Sequence, residues 1–515
     1  MNDSATMMPE LAFPRWKRRL VYGVLISCFA LWGLLNNMTD NLVPAFQQIF
    51  DFDQEKAGTI QISFYGAYPI LAIFAGILVE EFSYRAGVLV GLGACILGGL
   101  LFIPAYLATS FDIFFLAIFA VAAGCALVEV ASDPYALSLG DKKGAVWRLN
   151  FAQAFNPIGS LVGIYLAKVF ILAKLNPATA VERKQMTVET LSKVVDKELF
   201  WCCVPYVGVS LAVILVWIFF SRISPMKSPL RENPKGLRRV FTALAFALGP
   251  VVALYLLFPN MNKMVWISLG VLGPISYVLS VKEYREPLRM LLKCPRYCGG
   301  VVAQFFNVGV QIAGWTWLNV YCQKELGVTK ATAASYYLIA IVLFTVFRWV
   351  TTEWMKRARA ETLLAGFAFV AALCAAGTMY LPSTTWFTVA GLRFTPNVLC
   401  LVCMSAGMSL MFPTIYGLAL GGLDARAFKL GAAGLVMADL GGAVITPWMS
   451  TVIGSTTSVW FCLVPGASSA WDAGLRTSDL ALRSSFAIPV ICYLVVCAYA
   501  LFVRCISGRT ETVSR

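Results

Sequence analysis

Four acidic residues lie inside long apolar segments of this sequence, and they are the residues whose position most suggests chemistry. They are Asp40, Glu129, Asp133 and Asp439. A charged side chain at the centre of a bilayer costs about 2.5–3.5 kcal/mol on insertion scales, so acids at such depth are expected to serve a function. Because the chain contains no histidine, any proton relay would have to run through carboxylates.

Asp40 belongs to a polar patch in the first apolar segment. Asn36, Asn37 and Asp40 are spaced so that a helix places the carboxylate and both amides on one side. Burial disfavours the charged form of a carboxylate, so an acid in such a place can take up and release a proton under physiological conditions. We therefore predict that Asp40 is the proton-coupling residue.

Further polar residues form stripes on other predicted helices, at spacings of three and four residues. Carboxylates and amides offer the acceptors and donors that sugar hydroxyls need, and an indole ring can stack on the apolar face of a pyranose. Hydrogen bonding between helices is the alternative role of each amide. The predicted substrate-binding residues are Asn37, Glu129, Gln153, Asn156, Gln304, Asn307, Gln311 and Trp315, with Asp133 and Asp439 as additional acids. For Asp439 a neutral, hydrogen-bonded acid is an equal alternative.

The composition excludes most other classes of protein. The 515 residues are 59% hydrophobic and only 13% charged, with a mean hydropathy of +0.75, which is far too apolar for a soluble enzyme. The net charge of +14 comes from Lys and Arg in loops between apolar segments, which argues against a nucleic-acid surface. No nucleophile–base pair, metal cluster or phosphate loop occurs, so we expect no catalytic residue, metal or cofactor.

The apolar segments predict an all-α polytopic membrane protein with fourteen helices, since a bilayer takes roughly 20 apolar residues per helix. We predict an N-terminal six-helix bundle in residues 1–221, a cytoplasmic linker with two additional apolar helices in 222–296, and a C-terminal six-helix bundle in 297–515. The middle two segments either span the membrane or form a hairpin on it. If only one of them spanned, the basic loops of the second bundle would face outward, so either both segments span or neither does.

The distribution of basic residues predicts the orientation. Loops rich in Lys and Arg collect on the cytoplasmic side, which places both termini in the cytoplasm of a multi-pass protein, expected as a monomer in the plasma membrane. Two six-helix halves are typical of transporters that work by alternating access. Composition alone would also suit a channel or a receptor, and the polar residues within the spans favour a transporter.

The turn after the second apolar segment carries a motif. Between Gly76 and Gly87 stand Glu80, Glu81 and Arg85, and this arrangement resembles the loop motif of the major facilitator superfamily, with Glu80 in the usual acid position. A charge pair here can hold neighbouring helices in one conformation and release them in another. We predict Glu80 and Arg85 as a conformational latch with Arg348 as the counterpart in the second half; an ordinary solvated turn is the alternative.

The chain further resembles the L-fucose/proton symporter family of that superfamily, which includes fucose, galactose and glucose proton symporters. The matching segments are LWGLLNNMTD (31–40), FSYRAGVL (82–89), RLNFAQAFNPIG (148–159), AQF (303–305) continuing to Gln311, FPTI (412–415) and VITP (444–447). The resemblance implies that Asp40 carries the proton, that Glu129 takes part in sugar recognition, and that Asn37, Gln153 and Asn156 line the sugar cavity.

The chain departs from the family pattern at three positions. Asp133 stands where the family commonly has Asn, Phe412 where a Tyr is expected, and Asp439 adds an acid. The resulting prediction is a major facilitator fold that performs symport of a proton with a hexose such as L-fucose. The alternatives are a facilitative or sodium-coupled transporter of glucose, galactose or N-acetylglucosamine, and a membrane sugar sensor that does not transport.

Overall fold

The computed structural model describes residues 14–52, 59–178, 180–223, 233–257, 263–454 and 477–513. Residues 224–232 and 258–262 of the predicted linker therefore lie outside the described residues. Regular structure in the described part is helical apart from one antiparallel hairpin, β1 (Phe387–Val389) and β2 (Leu392–Phe394). The two residues of its turn have positive φ, 49° at Ala390 and 80° at Gly391, as a two-residue type I′ turn requires.

The helices of the N-terminal part begin at Arg15. They are α1 (Arg15–Asp40), α2 (Leu42–Ile49), α3 (Thr59–Glu81), α4 (Tyr84–Leu100), α5 (Phe102–Leu107), α6 (Phe111–Ser138), α7 (Ala145–Gln153), α8 (Asn156–Leu166), α9 (Ala180–Gln185) and α10 (Val188–Ile223). Ser83 caps α4 by accepting a hydrogen bond from the backbone of Ala86. Pro157 stands in the first turn of α8, where its missing N–H costs nothing, so the chain breaks between α7 and α8 and restarts as a helix.

The remaining helices follow in the middle and C-terminal parts. They are α11 (Pro234–Leu257), α12 (Lys263–Ser280), α13 (Lys282–Lys293), α14 (Pro295–Leu326), α15 (Lys330–Trp354), α16 (Ala360–Tyr380), α17 (Pro396–Met408), α18 (Met411–Leu420), α19 (Ala425–Met437), α20 (Gly441–Gly454), α21 (Thr477–Ser485) and α22 (Ala487–Val513). A short 3₁₀ turn, Ala438–Leu440, separates α19 from α20.

Twelve helical segments in the described residues are long and apolar enough to cross a membrane, and they coincide with twelve of the fourteen predicted spans. The other two are α14 and α12. Helix α14 has 32 residues but carries the amides Gln304, Asn307 and Gln311, which lower its hydropathy. Of α12, the apolar stretch that falls within the fully described residues is Gly270–Ser280, which is shorter than a span. The prediction that the middle pair spans the membrane thus stays a prediction.

Two compact units divide the chain. The first unit comprises residues 1–145, 155–291 and 423–437, and the second comprises 146–154, 292–422 and 438–515. Helix α19, from the C-terminal half of the sequence, therefore belongs to the first unit, and α7, from the N-terminal half, belongs to the second.

Close helix contacts in the first unit depend on glycine. A methyl group on Gly33 of α1 would lie 2.1 Å from the carbonyl oxygen of Asn156. On Gly159 and Gly163 of α8 it would lie 1.8 Å from the carbonyl oxygen of Ala30 and 2.3 Å from that of Leu34. Only glycine permits such an approach, since any Cβ would overlap these atoms. Helices α1 and α8 consequently touch along their backbones.

A polar cluster joins several helix ends in the second unit. Glu325 near the end of α14 accepts hydrogen bonds from Arg483 of α21, with Nε 2.6 Å from Oε1, and from the hydroxyl of Ser383 at 2.5 Å. The amide nitrogen of Asn397 donates to the hydroxyl of Tyr321 at 3.0 Å. Buried carboxylates and amides need such partners, and this cluster ties α14, α17 and α21 to the segment that follows α16.

Candidate functional site

The predicted proton-coupling residue ends α1 and faces a tyrosine. Asp40 is half-buried, and the hydroxyl of Tyr65 on α3 lies 3.4 Å from each of its carboxylate oxygens. The same hydroxyl lies 3.1 Å from Oδ1 of Asn36. The neighbouring amide, Asn37, donates to the carbonyl oxygen of Gly33 within its own helix at 3.1 Å. The end of α1 therefore holds a carboxylate, two amides and a phenol in one place.

Asn156 lies at the start of α8, beside α1. Its amide nitrogen donates to the carbonyl oxygen of Phe29 at 3.3 Å, so part of its hydrogen-bonding capacity joins the two helices. An asparagine side chain has two N–H donors and a carbonyl acceptor, which leaves capacity for a ligand. Gly33 permits this close approach of the two helices, because a Cβ there would lie 2.1 Å from the Asn156 backbone oxygen.

Glu129 and Asp133 lie one turn apart on α6. Their side chains are almost fully buried, with 1% and 0% exposure, and α6 packs against α1, α3 and α4. Pro134 follows Asp133 inside the helix; it removes one backbone donor and relaxes the helix at this point. Burying two acids so deeply is costly, and their proposed part in sugar recognition stays a prediction.

The second unit buries two amides on α14. Gln304 and Asn307 are 0% exposed, and neither the nitrogen nor the oxygen of either amide has a hydrogen-bond partner within the described residues. Leaving such a group unsatisfied costs about 1–3 kcal/mol. Gln311 continues the same face and is half-buried. An arrangement this unfavourable is expected where a polar ligand supplies the hydrogen bonds.

Aromatic residues border this stretch of α14. The indole nitrogen of Trp315 donates to the hydroxyl of Ser405 on α17 at 3.2 Å. The indole ring packs edge-on against Phe344, with centroids 5.1 Å apart. The guanidinium of Arg348 in turn lies over the Phe344 ring, 4.8 Å from its centroid. The predicted stacking residue is thus held in one orientation by two neighbours.

Arg348 holds α7 within the second unit. Its Nη1 donates to the backbone oxygen of Gln153 at 3.3 Å, and its Nε donates to the backbone oxygen of Ser409. The Gln153 side chain is buried, and Asn150 one turn earlier donates to the hydroxyl of Thr414 at 3.3 Å. Arg348 therefore positions Gln153 through its backbone. Glu353, on the next turn of the same helix, forms an ion pair with Lys356 at 2.6 Å.

The expected charge pair at the turn after α3 has different partners in the structure. Glu80 lies 3.5 Å from Lys429 and 3.6 Å from Arg426, both on α19. Arg85 donates to the backbone oxygens of Phe220 at 3.2 Å and Ser221 at 2.8 Å. The guanidinium thus occupies the last carbonyls of α10, where a cation is favoured. Glu80 and Arg85 therefore each have other partners and do not form an ion pair with each other in this structure.

The adjacent acid, Glu81, anchors the middle helices. Its Oε1 accepts hydrogen bonds from the Tyr284 hydroxyl at 2.6 Å and from Arg239 at 3.0 Å. Asn233 also donates to Glu81 at 3.4 Å. Burial and the hydrogen bond to Glu81 raise the pKa of Tyr284 above its usual value. Helices α11 and α13 are thereby fastened to the end of α3.

The contacts made by Tyr65, Glu81, Arg426 and Lys429 were not predicted from the sequence. Each acts through a contact between residues far apart in the sequence, which spacing along one helix cannot reveal. A tyrosine inside an apolar helix was a weak signal for Tyr65, because its hydroxyl needs a partner when it is buried. Asp439 lies in the turn between α19 and α20, where the helix is interrupted.

Comparison with known proteins agrees with this architecture. The sequence profile of the Major Facilitator Superfamily matches residues 20–446. The L-fucose-proton symporter of Haemophilus influenzae is 32% identical over 484 residues, covering 94% of this chain and 96% of that protein. The glucose/galactose transporter of Brucella abortus is 26% identical, covering 93% of this chain and 92% of that protein.

A solved structure shares the fold over nearly the whole length. The crystal structure of the Escherichia coli fucose:proton symporter superposes with a TM-score of 0.70 at 25% identity, covering 95% of this chain and 99% of that one. The predicted family and the all-helical major facilitator fold are thereby confirmed, while the additional pair of spanning helices stays a prediction. The chain belongs to the Major Facilitator Superfamily of membrane transporters, within the group that contains the fucose and glucose/galactose proton symporters.

Proposed function

We propose that this protein is a proton-coupled hexose symporter that works by alternating access, with an L-fucose-like sugar as substrate. The observation that carries the proposal is the half-buried Asp40, whose carboxylate faces the Tyr65 hydroxyl at 3.4 Å beside Asn36. An acid shielded from water but supplied with a polar partner can bind a proton on one side of the membrane and lose it on the other. Asp40 is the proton carrier in this scheme.

Sugar recognition is proposed for the amides and acids of the candidate site. Gln304 and Asn307 offer buried donors and acceptors that lack partners in the described residues, which is what a polyhydroxylated ligand would satisfy. Trp315, held against Phe344, can stack on the apolar face of a sugar ring. The other proposed sugar-binding residues are Asn37, Glu129, Gln153, Asn156 and Gln311, with Asp133 and Asp439 as acids that set specificity.

Related proteins support both the coupling ion and the class of sugar. The relatives from Haemophilus influenzae and Escherichia coli are named as L-fucose-proton symporters, and those from Brucella abortus as glucose/galactose transporters. The three departures at Asp133, Phe412 and Asp439 are expected to alter which hexose is preferred.

The proposed membrane topology follows the distribution of charge. We propose fourteen spanning helices, including the middle pair α11 and α12, with both termini in the cytoplasm of a plasma-membrane protein. In this organisation residues 1–221 and 297–515 form the two bundles and 222–296 the linker. Glu80 with Lys429, and Arg348 with Gln153, then act as latches that must open in each transport cycle.

Uptake into proteoliposomes tests the proposal. The full-length protein is reconstituted and offered labelled L-fucose, galactose, glucose and N-acetylglucosamine, with an inward proton gradient, an inward sodium gradient or no gradient. We expect one hexose to accumulate only with the proton gradient. Asp40→Asn should abolish accumulation but retain exchange of labelled for unlabelled sugar, since exchange needs no net proton movement.

Other outcomes would replace the proposal by a specific alternative. Accumulation driven by sodium would identify a different coupling ion, and equilibration without accumulation would identify a facilitator. Saturable sugar binding without any uptake would identify a sensor. If Asp40→Asn accumulated sugar like the unmodified protein, the role of Asp40 would be refuted even with proton coupling intact.

A further inference from the structure

The hydroxyl of Tyr65 is shared between two side chains of α1. It lies 3.1 Å from Oδ1 of Asn36 and 3.4 Å from both carboxylate oxygens of Asp40. Within the described residues, the hydrogen bonds of the Asp40 carboxylate come from Tyr65. The phenol reaches this position from α3, which packs against α2 and α6, so a different helix supplies the partner of the acid.

A phenol has one hydrogen to donate and an oxygen that can accept. When Asp40 is charged it can only accept, so the Tyr65 hydrogen is drawn to the carboxylate. When Asp40 is protonated, its own hydroxyl can donate to the Tyr65 oxygen, and the Tyr65 hydrogen is then free to point at the Asn36 oxygen. The hydrogen bond between Tyr65 and Asp40 thus reverses its direction when Asp40 is protonated, and the hydrogen bond from Tyr65 to Asn36 forms only in that state.

We propose that Tyr65 is a positioning residue for Asp40, whose hydroxyl switches between the carboxylate and Asn36 as the proton is lost and gained. The inference rests on the proposed proton-coupled function and adds the group that sets the balance between the charged and neutral carboxyl. A donor to a carboxylate favours its charged form, so Tyr65 assists release of the proton, whereas Asn36 competes for the same hydrogen and opposes release.

Other titratable groups face this end of α1 from the helices around it. They are Tyr206 on α10, Tyr68 on α3, and Cys125, Glu129 and Asp133 on α6, whereas Tyr165 on α8 is 63% exposed. The Tyr206 hydroxyl lies 2.9 Å from that of Thr39, and the Tyr68 hydroxyl accepts from Trp32 at 2.7 Å. The direct contact with Asp40 nevertheless belongs to Tyr65.

Tyr68 provides a matched control on the same helix. It lies one turn beyond Tyr65, and its hydroxyl is likewise bonded to a side chain of α1, Trp32. Tyr68→Phe therefore removes the same atom from the same pair of helices without touching Asp40. A general weakening of the contact between α1 and α3 would affect both variants, whereas a role in proton handling would affect only Tyr65→Phe.

The test is the pH dependence of proton-driven uptake in proteoliposomes, with sugar exchange at equal pH as the control for folding. In Tyr65→Phe the carboxyl loses its donor, so uptake should persist to higher pH, with the alkaline half-maximum raised by about one pH unit. Tyr68→Phe should leave it unchanged. In Asn36→Ala the competing acceptor is removed, so the half-maximum should move to lower pH.

Each outcome bears on a defined claim. If the unmodified protein accumulates sugar with a proton gradient but Tyr65→Phe keeps its pH profile, the role of Tyr65 is refuted and the proposed function stands. Equal shifts in Tyr65→Phe and Tyr68→Phe would also refute it. If Tyr65→Phe loses exchange altogether, the Asn36→Ala shift decides, and an upward or absent shift rejects the switch. Absence of proton-driven accumulation in the unmodified protein overturns both proposals.

Discussion

Oε2 of Glu80 lies 3.5 Å from Nζ of Lys429, so the end of α3 is bonded to a helix from the opposite half of the sequence. Both residues belong to the first compact unit, and both are largely shielded, with 17% and 22% of their side chains exposed. The second cation, Arg426, is 69% exposed at 3.6 Å and contributes less because water screens it. Lys429 is therefore the main partner of Glu80.

Neutralising Glu80 should loosen α19. We expect Glu80→Gln to accelerate amide hydrogen exchange in α19 by about two- to tenfold, as expected for the loss of a partly exposed ion pair of roughly 0.4–1.4 kcal/mol. Glu353→Gln is the matched control, because Glu353 pairs with Lys356 one turn away in an exposed position. If amide hydrogen exchange in α19 were equally fast in both variants, the contact between Glu80 and Lys429 would not stabilise α19.

Replacing Asn307 by leucine should improve stability and impair binding. The buried amide has no partner in the described residues, so Asn307→Leu removes a cost of about 1–3 kcal/mol and should raise Tm. The same change should raise KM for the sugar about tenfold, since a lost hydrogen bond of about 1.4 kcal/mol corresponds to that factor.

A fully bonded amide provides the contrast. Asn397 is equally buried, but it donates to Tyr321 and Ser383 and accepts from Thr395 and the Val398 backbone. Asn397→Leu should therefore lower Tm. If Asn307→Leu lowered Tm in the same way, Asn307 would be a structural residue rather than a ligand-binding one.

The contact between Tyr284 and Glu81 should make stability depend on alkaline pH. The pKa of Tyr284 is raised above its usual value near 10 by burial and by Glu81, so its stabilising effect is complete below pH 10 and is lost as the pH rises through the native value. Tyr284→Phe should lower Tm by an amount that is constant up to about pH 10 and shrinks above it. A difference in Tm that did not change with pH would contradict this account.

The glycines of α8 should tolerate no side chain. Gly159→Ala places a methyl group 1.8 Å from the carbonyl oxygen of Ala30, so we expect a loss of about 1–3 kcal/mol or more in the free energy of unfolding. Gly366→Ala on α16 meets nothing within 4 Å and should stabilise the helix by up to about 1 kcal/mol. Thermal unfolding in detergent tests this, because Tm should fall in Gly159→Ala and rise in Gly366→Ala.

The spans and the family could be predicted from the sequence because they depend on local properties. Runs of apolar residues mark helices directly, and twelve of the fourteen predicted spans meet that criterion in the structure. Helix α14 shows where it fails, since the amides that suggest a binding role also make the helix less apolar. The exact register of a motif such as residues 31–40 was enough to identify the family.

The partners of individual side chains could not be predicted, because they depend on which helices pack together. Tyr65 meets Asp40, and Glu80 meets Lys429, across distances in sequence that no helical period describes. The motif at Glu80 and Arg85 predicted a pair within one turn, yet the end of α10 offers Arg85 unsatisfied carbonyls. The roles of the site residues remain predictions that the experiments above address.

The close contact between α1 and α8 has a consequence for the proposed coupling of proton and sugar. The backbones of the two helices are in direct contact at Gly33, Gly159 and Gly163, with no side chains between them. We therefore expect the two helices to move together as one rigid body. Asp40 and Asn156 then keep a fixed spacing whichever side of the membrane is open. Coupling of proton and sugar would then depend on when water reaches Asp40 and Asn156, and very little on a change in the distance between these two residues.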